Sequence, residues 1–344
     1  MKAIRTILLA GAFAAGTCAA QAEEMVFASW GGSYQEAISK AWLQPFSEET
    51  GIDIIQDTEP EVARIKAMVE TNSLEWDVVT GGGSTLMRGV AYDLFEPITA
   101  DMVDQSHVIE GARNDYGVPS EIFSTVIGYS KDAFPDGGPR TFADFFDVEK
   151  FPGMRAVPDR AATVLEAALL ADGVAPADVY KVLDTEDGFQ RALDKVSSLR
   201  DHVAVWWSSG AQPVQALGSG EVVMALGWNG RFQAGMDEGL DIEMSWAESI
   251  AQVGYFMIPR GAPNRDQAIR FLNYMVQPEA QSRFSEYVAY GPVTDQAWEF
   301  IDDERQARLP STPERLKNAI FMDIAWWADN ATAASEKYRQ MLQK

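Results

Sequence analysis

The segment around Trp30 carries residue types suited to holding a small polar ligand. Met25–Ser29 is a short apolar run that predicts a buried strand, and Gly31-Gly32 ends it. Ser33–Glu36 has the spacing of a capping box, in which the serine and glutamate side chains bind each other's backbone N–H groups, so a helix is predicted from Tyr34. Trp30 and Tyr34 would then flank unpaired backbone donors at the carboxyl end of a sheet, where small ligands bind. The same joint also occurs in α/β proteins as a purely structural turn.

This strand–turn–helix pattern recurs along the chain, and small or polar residues fill each turn. The turns lie near Trp30, Gly81, Asp159, Ser208 and Trp228. In open α/β sheets such turns line a ligand crevice. Successive residues of a strand face opposite sides, so Trp206 and Trp207 cannot both face that crevice. Trp207, which is nearer its turn, is predicted to line the crevice, and Trp206 to pack in the core.

Residues for catalysis or metal binding are sparse. His107 and His202 are the two histidines, and neither has a metal-binding spacing with carboxylates. No serine stands in a GxSxG elbow, and Gly81–Ser84 lacks the lysine of a phosphate loop. The sequence therefore predicts a non-enzymatic binding protein without a metal or cofactor, with an exported α/β hydrolase as the alternative.

The N-terminus predicts an exported protein. Residues 1–22 combine a basic start, an apolar run from Ile7 to Ala15 and the small-x-small site Ala20–Ala22, which together indicate a secretory signal peptide. The single cysteine, Cys18, would leave with this peptide, so no disulfide is expected. The 28 basic and 51 acidic residues give a net charge of −23, which argues against nucleic acid and anionic membranes as partners. We expect a monomer in the bacterial periplasm, without stable membrane insertion.

Strands alternate with helices along the rest of the chain, which predicts parallel βαβ units and an α/β fold. The first helix is predicted to run from Tyr34 to about Glu49 with a bend at Pro45, and extended segments are predicted at Tyr116–Tyr129 and Gly254–Pro259. The length is sufficient for two lobes. Because no flexible linker separates two halves, the chain is expected to cross between lobes in extended segments.

Short motifs distributed over the whole mature chain carry a family resemblance. They are Ala28–Ala37, Phe46–Gly51, Trp76–Val79, Ile127–Asp132, Trp207–Gln212, Gly227–Arg231, Ala268–Pro278 and Trp326–Asn330. In order and spacing they resemble periplasmic solute-binding proteins of ABC importers, of the spermidine/putrescine-binding type. The resemblance implies a type II-like periplasmic binding protein fold, in which two lobes, each a mostly parallel sheet flanked by helices, close on a ligand and present it to a permease. The expected lobes are residues 23–127 with about 257–300, and about 128–256 with 301–344.

The chain departs from polyamine binders of this type at positions where they carry acids. Gly31-Gly32 stands where a carboxylate follows the first tryptophan, and Gly254 stands in place of another acid. Only Asp159 remains before the helix of the second lobe, with Arg160 and Thr163 at positions aligned with ligand-binding acids. Buried ammonium groups need carboxylates because they lose hydration. A site that has lost acids and gained Arg160, Arg231 and glycine turns suits a carboxylate or a zwitterion.

The ligand class therefore stays open at this point. Glu59, Asp77 and Glu121 remain as candidate anchors for an amine. The resemblance makes a polyamine the first expectation, whereas the missing acids favour an amino acid, an opine or another solute with both an amine and a carboxylate. Either ligand would be a small nitrogenous solute delivered to an ABC transporter permease.

The residues expected to contact the ligand lie mostly at strand ends and turns. They are Trp30, Gly31, Gly32, Ser33, Tyr34, Glu59, Ser84, Glu121, Arg160, Thr163, Trp207, Ser208, Trp228, Asn229 and Tyr290. Trp30, Tyr34 and Trp228 would form walls, the glycines and serines would supply hydrogen bonds, and Arg160 would hold a ligand carboxylate. Tyr290 would contact the ligand from the lid side.

Overall fold

The computed structural model describes residues 23–343, which form a mixed α/β protein built on one sheet. The strands are β1 (Glu24–Ser29), β2 (Asp53–Thr58), β3 (Val78–Gly82), β4 (Val118–Ser130), β5 (Arg155–Pro158), β6 (Val203–Trp207), β7 (Met224–Trp228), β8 (Ile242–Met257) and β9 (Ala319–Phe321). The helices are α1 (Gly32–Ile38), α2 (Gln44–Thr50), α3 (Val62–Glu70), α4 (Gly83–Ala91), α5 (Phe142–Phe146), α6 (Val164–Ala171), α7 (Val179–Leu183), α8 (Glu186–Ser197), α9 (Gln212–Gly218), α10 (Asn229–Asp237), α11 (Arg265–Met275), α12 (Pro278–Tyr287), α13 (Asp303–Gln306), α14 (Pro313–Leu316) and α15 (Ile324–Gln343). A π-helical segment, Ser39–Leu43, joins α1 to α2, and short 3₁₀ segments lie at Glu110–Ala112, Pro176–Asp178, Arg200–His202 and Asp295–Phe300.

The sheet has two parallel ends joined by a central antiparallel pair. Its strand order is β2-β1-β3-β8-β4-β7-β5-β6, and β9 pairs with β8. β1 is parallel to β2 and β3, and β5 is parallel to β6 and β7. β4 and β8 run antiparallel to each other. β4 also runs antiparallel to β7, and β8 also runs antiparallel to β3. The parallel ends are the arrangement that the strand–helix alternation predicts, since parallel strands need long crossover connections.

The two long strands pass from one hydrophobic core to another. Val118 and Ile122 of β4 belong to the first core, whereas Ile127 of the same strand belongs to the second. On β8, Ile250 packs in the second core and Ala251 in the first. β4 and β8 are therefore the extended crossing segments expected from the absence of a linker, and the two-lobed α/β architecture predicted from the sequence is confirmed.

The second crossing segment is longer than the sequence predicts. The sequence indicated an extended stretch only from Gly254, but β8 begins at Ile242 and spans 16 residues. Its first half mixes polar and apolar residues, among them Glu243 and Glu248, so it shows neither a continuous apolar run nor clean alternation. Backbone pairing with β4 along most of its length holds this half extended.

The start of the first helix also differs from the prediction. α1 begins at Gly32, two residues early, and its N-cap is Gly31 with a φ of 70°. Ser33 makes no cap hydrogen bond; instead Oε1 of Gln35 accepts a 3.0 Å hydrogen bond from the Gly31 N–H. The capping-box prediction is therefore wrong, because the double-glycine turn lets the chain enter the helix before the serine.

Irregular helix geometry precedes the predicted bend at Pro45. The π-helical segment Ser39–Leu43 comes immediately before α2, which carries Pro45 in its first turn. A proline has no N–H to donate to the preceding turn, so the helix widens ahead of it. α2 ends at Thr50, and Gly51 follows in the left-handed conformation with a φ of 73°.

The predicted signal peptide, residues 1–22, and Cys18 within it lie outside the described residues. Among the helices of residues 23–343, none is long and apolar enough to cross a membrane.

Candidate functional site

A cavity of about 500 Å³ opens at the carboxyl ends of β1, β3 and β7. Its lining residues come from the strand ends, α1, α10, the central strands and the segment after α12. They are Trp30, Gly31, Ser33, Tyr34, Gly81, Gly82, Glu121, Phe123, Trp228, Gly230, Arg231, Gln233, Ala234, Asp237, Gly254, Glu286, Tyr287, Val288, Ala289, Tyr290 and Arg305. The volume suits a small-molecule ligand.

The turn from β1 into α1 forms the first wall of the cavity. Trp30 is 44% exposed, so its indole is available to a ligand rather than committed to the core. Tyr34, in the first turn of α1, packs edge-on against Phe284 with ring centroids 6.0 Å apart. Its hydroxyl donates a 2.7 Å hydrogen bond to Oε1 of Glu121.

Glu121 is the most deeply buried carboxylate of the cavity. The residue is 3% exposed on β4, and its Oε2 atom has no hydrogen-bond partner among residues 23–343. Burial raises the pKa of the Glu121 carboxyl above its ordinary value, and it also raises the pKa of the Tyr34 hydroxyl, to which the charge of Glu121 contributes. A buried carboxylate oxygen without a partner is costly unless something donates to it. This atom is therefore suited to accept a hydrogen bond from a ligand.

Aromatic rings line the opposite side. The Phe123 ring lies 5.3 Å from that of Tyr290 and 6.3 Å from that of Trp228, measured between centroids. Tyr290 packs directly on Gly230 at the start of α10, where a Cβ would lie 2.5 Å from its ring. Such rings can hold the apolar stem of a ligand and stabilise a cation near their faces.

One face of α10 brings charge to the cavity. Gly230, Ala234 and Asp237 share this face by helical spacing, and Arg231 extends from its first turn. Within residues 23–343, Arg231 forms no ion pair. Asp237 is paired, with its Oδ1 atom 3.4 Å from Nη1 of Arg308. With no ion pair in the part of the chain that the structure describes, the Arg231 guanidinium is suited to bind an anionic group.

Two further charged residues reach the cavity from α12 and α13. Glu286 lines the cavity, and so does Arg305, whose Nε donates to the Ser285 carbonyl. Burial lowers the pKa of the Arg305 guanidinium. The cavity thus contains both signs of charge around an aromatic middle.

Of the residues predicted from the sequence, one group lines this cavity. It comprises Trp30, Gly31, Ser33, Tyr34, Glu121, Trp228 and Tyr290. Trp30 and Trp228, drawn from opposite ends of the sheet, face one common space. Their roles as ligand contacts remain predictions.

Trp207 does not line the cavity, contrary to the prediction. It is 0% exposed, and its Nε1 donates a 2.9 Å hydrogen bond to the Leu226 carbonyl. Its ring packs edge-on against Trp228 with centroids 5.5 Å apart. Trp207 therefore supports a cavity wall from within the core. Its proximity to a turn misled the prediction, because β6 lies at one edge of the sheet, separated from the central pair by β5 and β7.

Asn229 is also placed differently from the prediction. It is completely buried, its Oδ1 accepts a 2.9 Å hydrogen bond from the Ser124 N–H, and its Nδ2 donates a 2.5 Å hydrogen bond to the Ala289 carbonyl. Both ends of the amide are thus used within the protein. Asn229 ties α10 to β4 and to the segment before Tyr290.

Arg160 lies behind the wall rather than in it. Its guanidinium carbon is 4.3 Å from the Trp207 ring centroid and 5.2 Å from that of Trp228. Burial lowers the pKa of this guanidinium. Thr163 is buried and has a φ of 70° just before α6, and it does not line the cavity either.

The other predicted residues lie outside the lining. Glu59, Ser84 and Ser208 are exposed, and Gly32 opens α1 beside the lining residues. The Ser208 N–H donates a 2.8 Å hydrogen bond to Oε1 of Gln212, so this turn is closed by its own helix.

Asp77 is structural. Its carboxylate accepts hydrogen bonds from the Val26 N–H at 2.7 Å and from the Asn264 N–H at 2.6 Å. These partners occupy a completely buried side chain, so Asp77 is not available as an amine anchor.

Several residues that line the cavity are not among the contacts predicted from the sequence. They are Phe123, Gln233, Asp237, Glu286 and Arg305, among others. The helical spacing of positions 230, 234 and 237 after a strand-end tryptophan is a signal that could have identified the α10 face. No local signal marks Arg305, which reaches the cavity only through the packing of the segment after α12.

Comparisons with known proteins show the family of this chain. Residues 41–308 match the family described as bacterial extracellular solute-binding protein. The chain is 34% identical over 336 residues to the gamma-aminobutyric acid-binding protein of Pseudomonas aeruginosa, covering 97% of this chain and 95% of that protein. It is 24% identical over 371 residues to the spermidine/putrescine-binding periplasmic protein of Escherichia coli, covering 99% and 97%.

Solved structures show the same fold. An ABC transporter substrate-binding protein from Bradyrhizobium japonicum has a TM-score of 0.87 and 37% identity, with 93% of this chain and 99% of that chain covered. The binding protein MotA of Agrobacterium tumefaciens, solved in complex with glucopine, has a TM-score of 0.85 and 34% identity over the same shares. The resemblance inferred from the sequence motifs is thereby confirmed. The chain belongs to the bacterial extracellular solute-binding proteins, the family of substrate-binding proteins that serve ABC transporters.

Proposed function

We propose that this protein captures a small solute carrying both an amine and a carboxylate, of the size of 4-aminobutyrate or an opine, and delivers it to the permease of an ABC importer. It acts as a periplasmic monomer and a carrier, in keeping with a family whose members are not enzymes. The observation that carries the proposal is the unpartnered Oε2 atom of buried Glu121 in a cavity that also holds Arg231 without an ion pair among the described residues.

The amine end is assigned to Glu121. Tyr34 occupies Oε1 and leaves Oε2 for a donor. A primary ammonium would supply that donor and the charge that a buried carboxylate lacks. The rings of Phe123 and Tyr290 supply an apolar surface for the carbon stem between the two charged ends.

The carboxylate end is assigned to Arg231, because its guanidinium has no ion pair in residues 23–343 and belongs to the cavity lining. Arg160 stays a second candidate. It contacts Trp228 from behind, so a change in the position of that ring would alter its access to the ligand. The relatives that bind 4-aminobutyrate and glucopine support a ligand with a carboxylate.

Closure of two lobes would complete the site. The cores change between Ile122 and Val126 on β4 and between Ile250 and Ala251 on β8, which supports a hinge at the paired residues Ser124 and Ala251. The lobe ranges expected from the sequence, 23–127 with about 257–300 and about 128–256 with 301–344, stay a proposal. Their boundary on β4 lies close to this hinge, whereas Val253, Tyr255 and Phe256 of β8 pack in the first core.

A polyamine is the second candidate, for a specific reason. Asp237 and Glu286 also line the cavity and, with Glu121, could meet more than one ammonium group. Asp237 is partly neutralised by Arg308, however, and a second ammonium would stand close to Arg231. The similarity to the spermidine/putrescine-binding protein supports this candidate less strongly than the higher identity to the 4-aminobutyrate binder supports the first.

A matched series of four-carbon solutes separates the candidates. 4-Aminobutyrate, putrescine, succinate and butylamine have the same carbon skeleton and differ only in their terminal groups. A ligand raises the unfolding temperature in proportion to RT ln(1 + [L]/Kd), so thermal shift followed by calorimetry ranks them. We expect the order 4-aminobutyrate above butylamine and putrescine, with succinate last. Binding of putrescine above 4-aminobutyrate would favour the polyamine candidate, and absence of binding throughout, with opines included, would refute the proposal.

A further inference from the structure

Glu121 and Gly254 are register partners on the two central strands. β4 and β8 pair antiparallel with Glu121 opposite Gly254. The carboxylate of Glu121 lies over the glycine. A Cβ built on Gly254 would stand 2.2 Å from Oε1, 2.5 Å from Cδ and 2.7 Å from Oε2 of Glu121. No side chain at position 254 can coexist with Glu121 in this position.

The backbone does not explain this glycine. Gly254 lies within a continuous strand and does not have the positive φ of a left-handed residue. Any L-amino acid can adopt an extended backbone conformation. Its other register partner, Gly82 on β3, gives a comparison within the same cavity: a Cβ there would meet no atom within 4 Å. The three atoms nearest to a side chain at position 254 all belong to Glu121, so this side chain is the first obstacle to any residue larger than glycine there.

We propose that Gly254 is a specificity-determining position, whose missing side chain provides the space in which Glu121 presents Oε2 to a ligand amine. A larger residue would push the carboxylate out of its contact with Tyr34 and out of the cavity. The identity of residue 254 thus decides whether β4 can supply the amine acceptor. The expected effect of residue 254 on ligand binding rests on the proposed function. The coupling between Gly254 and Glu121 does not depend on that function.

A double-mutant cycle tests the coupling without any ligand. The four proteins are the wild type, Gly254→Ala, Glu121→Ala and the double variant, with Gly82→Ala as the control for unfolding. We expect Gly254→Ala to lower the unfolding temperature by several degrees in the wild-type background and to have little effect in the Glu121→Ala background, where the added methyl group occupies vacated space. Gly82→Ala should have little effect in either background.

The same four proteins are then titrated with 4-aminobutyrate. Gly254→Ala should weaken binding on the order of tenfold or more in the wild-type background, and add no further loss once Glu121 is removed. If Gly254→Ala fails to fold but the double variant folds, this result also supports the coupling. The coupling would be overturned if Gly254→Ala had equal effects in both backgrounds, or if Gly254→Ala and the double variant both failed to fold. Failure of the wild type to bind any four-carbon solute would refute the proposed function and leave the unfolding cycle to decide the coupling.

Discussion

The Tyr34 hydroxyl donates a 2.7 Å hydrogen bond to Oε1 of Glu121, and this bond joins α1 to the central strand β4 across the cavity. It fixes the carboxylate so that only Oε2 remains for a ligand. Tyr34→Phe removes the donor and keeps the ring, so the packing on Phe284 is preserved. We expect it to weaken binding of 4-aminobutyrate by about 1–2 kcal/mol in calorimetry, because Glu121 loses its orientation. An unchanged Kd in a folded variant would show that the bond does not position the carboxylate.

Glu121 should also make binding depend on pH. Burial raises the pKa of its carboxyl group in the free protein, so more of the protein carries a neutral Glu121 as the pH falls toward that value. An ammonium ligand favours the ionised form. Its binding should therefore release protons, and its affinity should fall as the pH is lowered through the raised pKa.

Calorimetry in buffers of different ionisation enthalpy measures this proton release. Glu121→Gln should bind more weakly than the wild type and release fewer protons. Proton release of the same size in both proteins would assign it to another group.

Two ligands, one with a carboxylate and one without, show whether Arg231 or Arg160 binds the carboxylate. Arg231→Gln is expected to weaken 4-aminobutyrate by about 2–4 kcal/mol while changing the affinity for butylamine little, because only the first ligand has a carboxylate. Arg160→Ala is expected to weaken both ligands to a similar extent, because its guanidinium reaches the cavity only through the Trp228 ring. If the loss selective for 4-aminobutyrate appeared in Arg160→Ala instead, the carboxylate would belong to Arg160.

The parts of the site that the sequence predicted are those built by a strand and the turn that follows it. Trp30 and Tyr34 follow β1, and Trp228 ends β7. These two strands run in opposite directions on either side of the central pair, so their carboxyl ends point toward each other at the cavity. Glu121 was identified only as one of several acids. Among the acids that line the cavity, its distinction is the unpartnered buried oxygen, which depends on the pairing of β4 with β8.

The parts that could not be predicted depend on contacts between distant segments. Arg305 and Glu286 enter the cavity from opposite sides of a turn-rich stretch without regular periodicity. Trp207 and Asn229 have the residue types and turn positions of ligand contacts, but their hydrogen bonds to the Leu226 and Ala289 carbonyls are satisfied inside the fold. Residue type and position in a turn do not reveal whether a polar atom already has a partner.

Asn229 is expected to control the position of the α10 wall. Its amide links the N–H of Ser124 to the carbonyl of Ala289, next to Tyr290, so one side chain joins α10 to the crossing strand β4 and to the segment before Tyr290. Asn229→Ala should lower the free energy of unfolding by about 2–4 kcal/mol, since it leaves two buried backbone groups unpaired. Asn229→Asp keeps the acceptor for Ser124 but places a carboxylate oxygen against the Ala289 carbonyl, and should be no better tolerated. Urea unfolding measures both, and stability close to wild type in either variant would contradict the role.

Glu166 is a second buried carboxyl group, far along the chain from the site, and it should make stability depend on pH. Its Oε1 accepts hydrogen bonds of 2.7 Å from Nε1 of Trp327 and 2.8 Å from the Tyr180 hydroxyl, and burial raises its pKa. A carboxyl whose pKa is raised in the folded protein contributes stability that is present below its unfolded pKa and is lost as the pH rises through the folded pKa.

Glu166→Gln keeps an acceptor oxygen for both donors and cannot ionise. In a Glu121→Gln background, which removes the other buried acid with a raised pKa, the glutamine variant should gain stability relative to Glu166 as the pH is raised from about 4 to about 8. Glu166→Ala, which leaves the indole and phenol donors unpaired, should cost about 2–4 kcal/mol across the whole range. Urea unfolding at a series of pH values measures both effects. The difference in free energy of unfolding between the glutamine variant and its parent should therefore change with pH, because the two curves diverge wherever the folded and unfolded states bind different numbers of protons. A constant difference would mean that Glu166 does not change its protonation in this range.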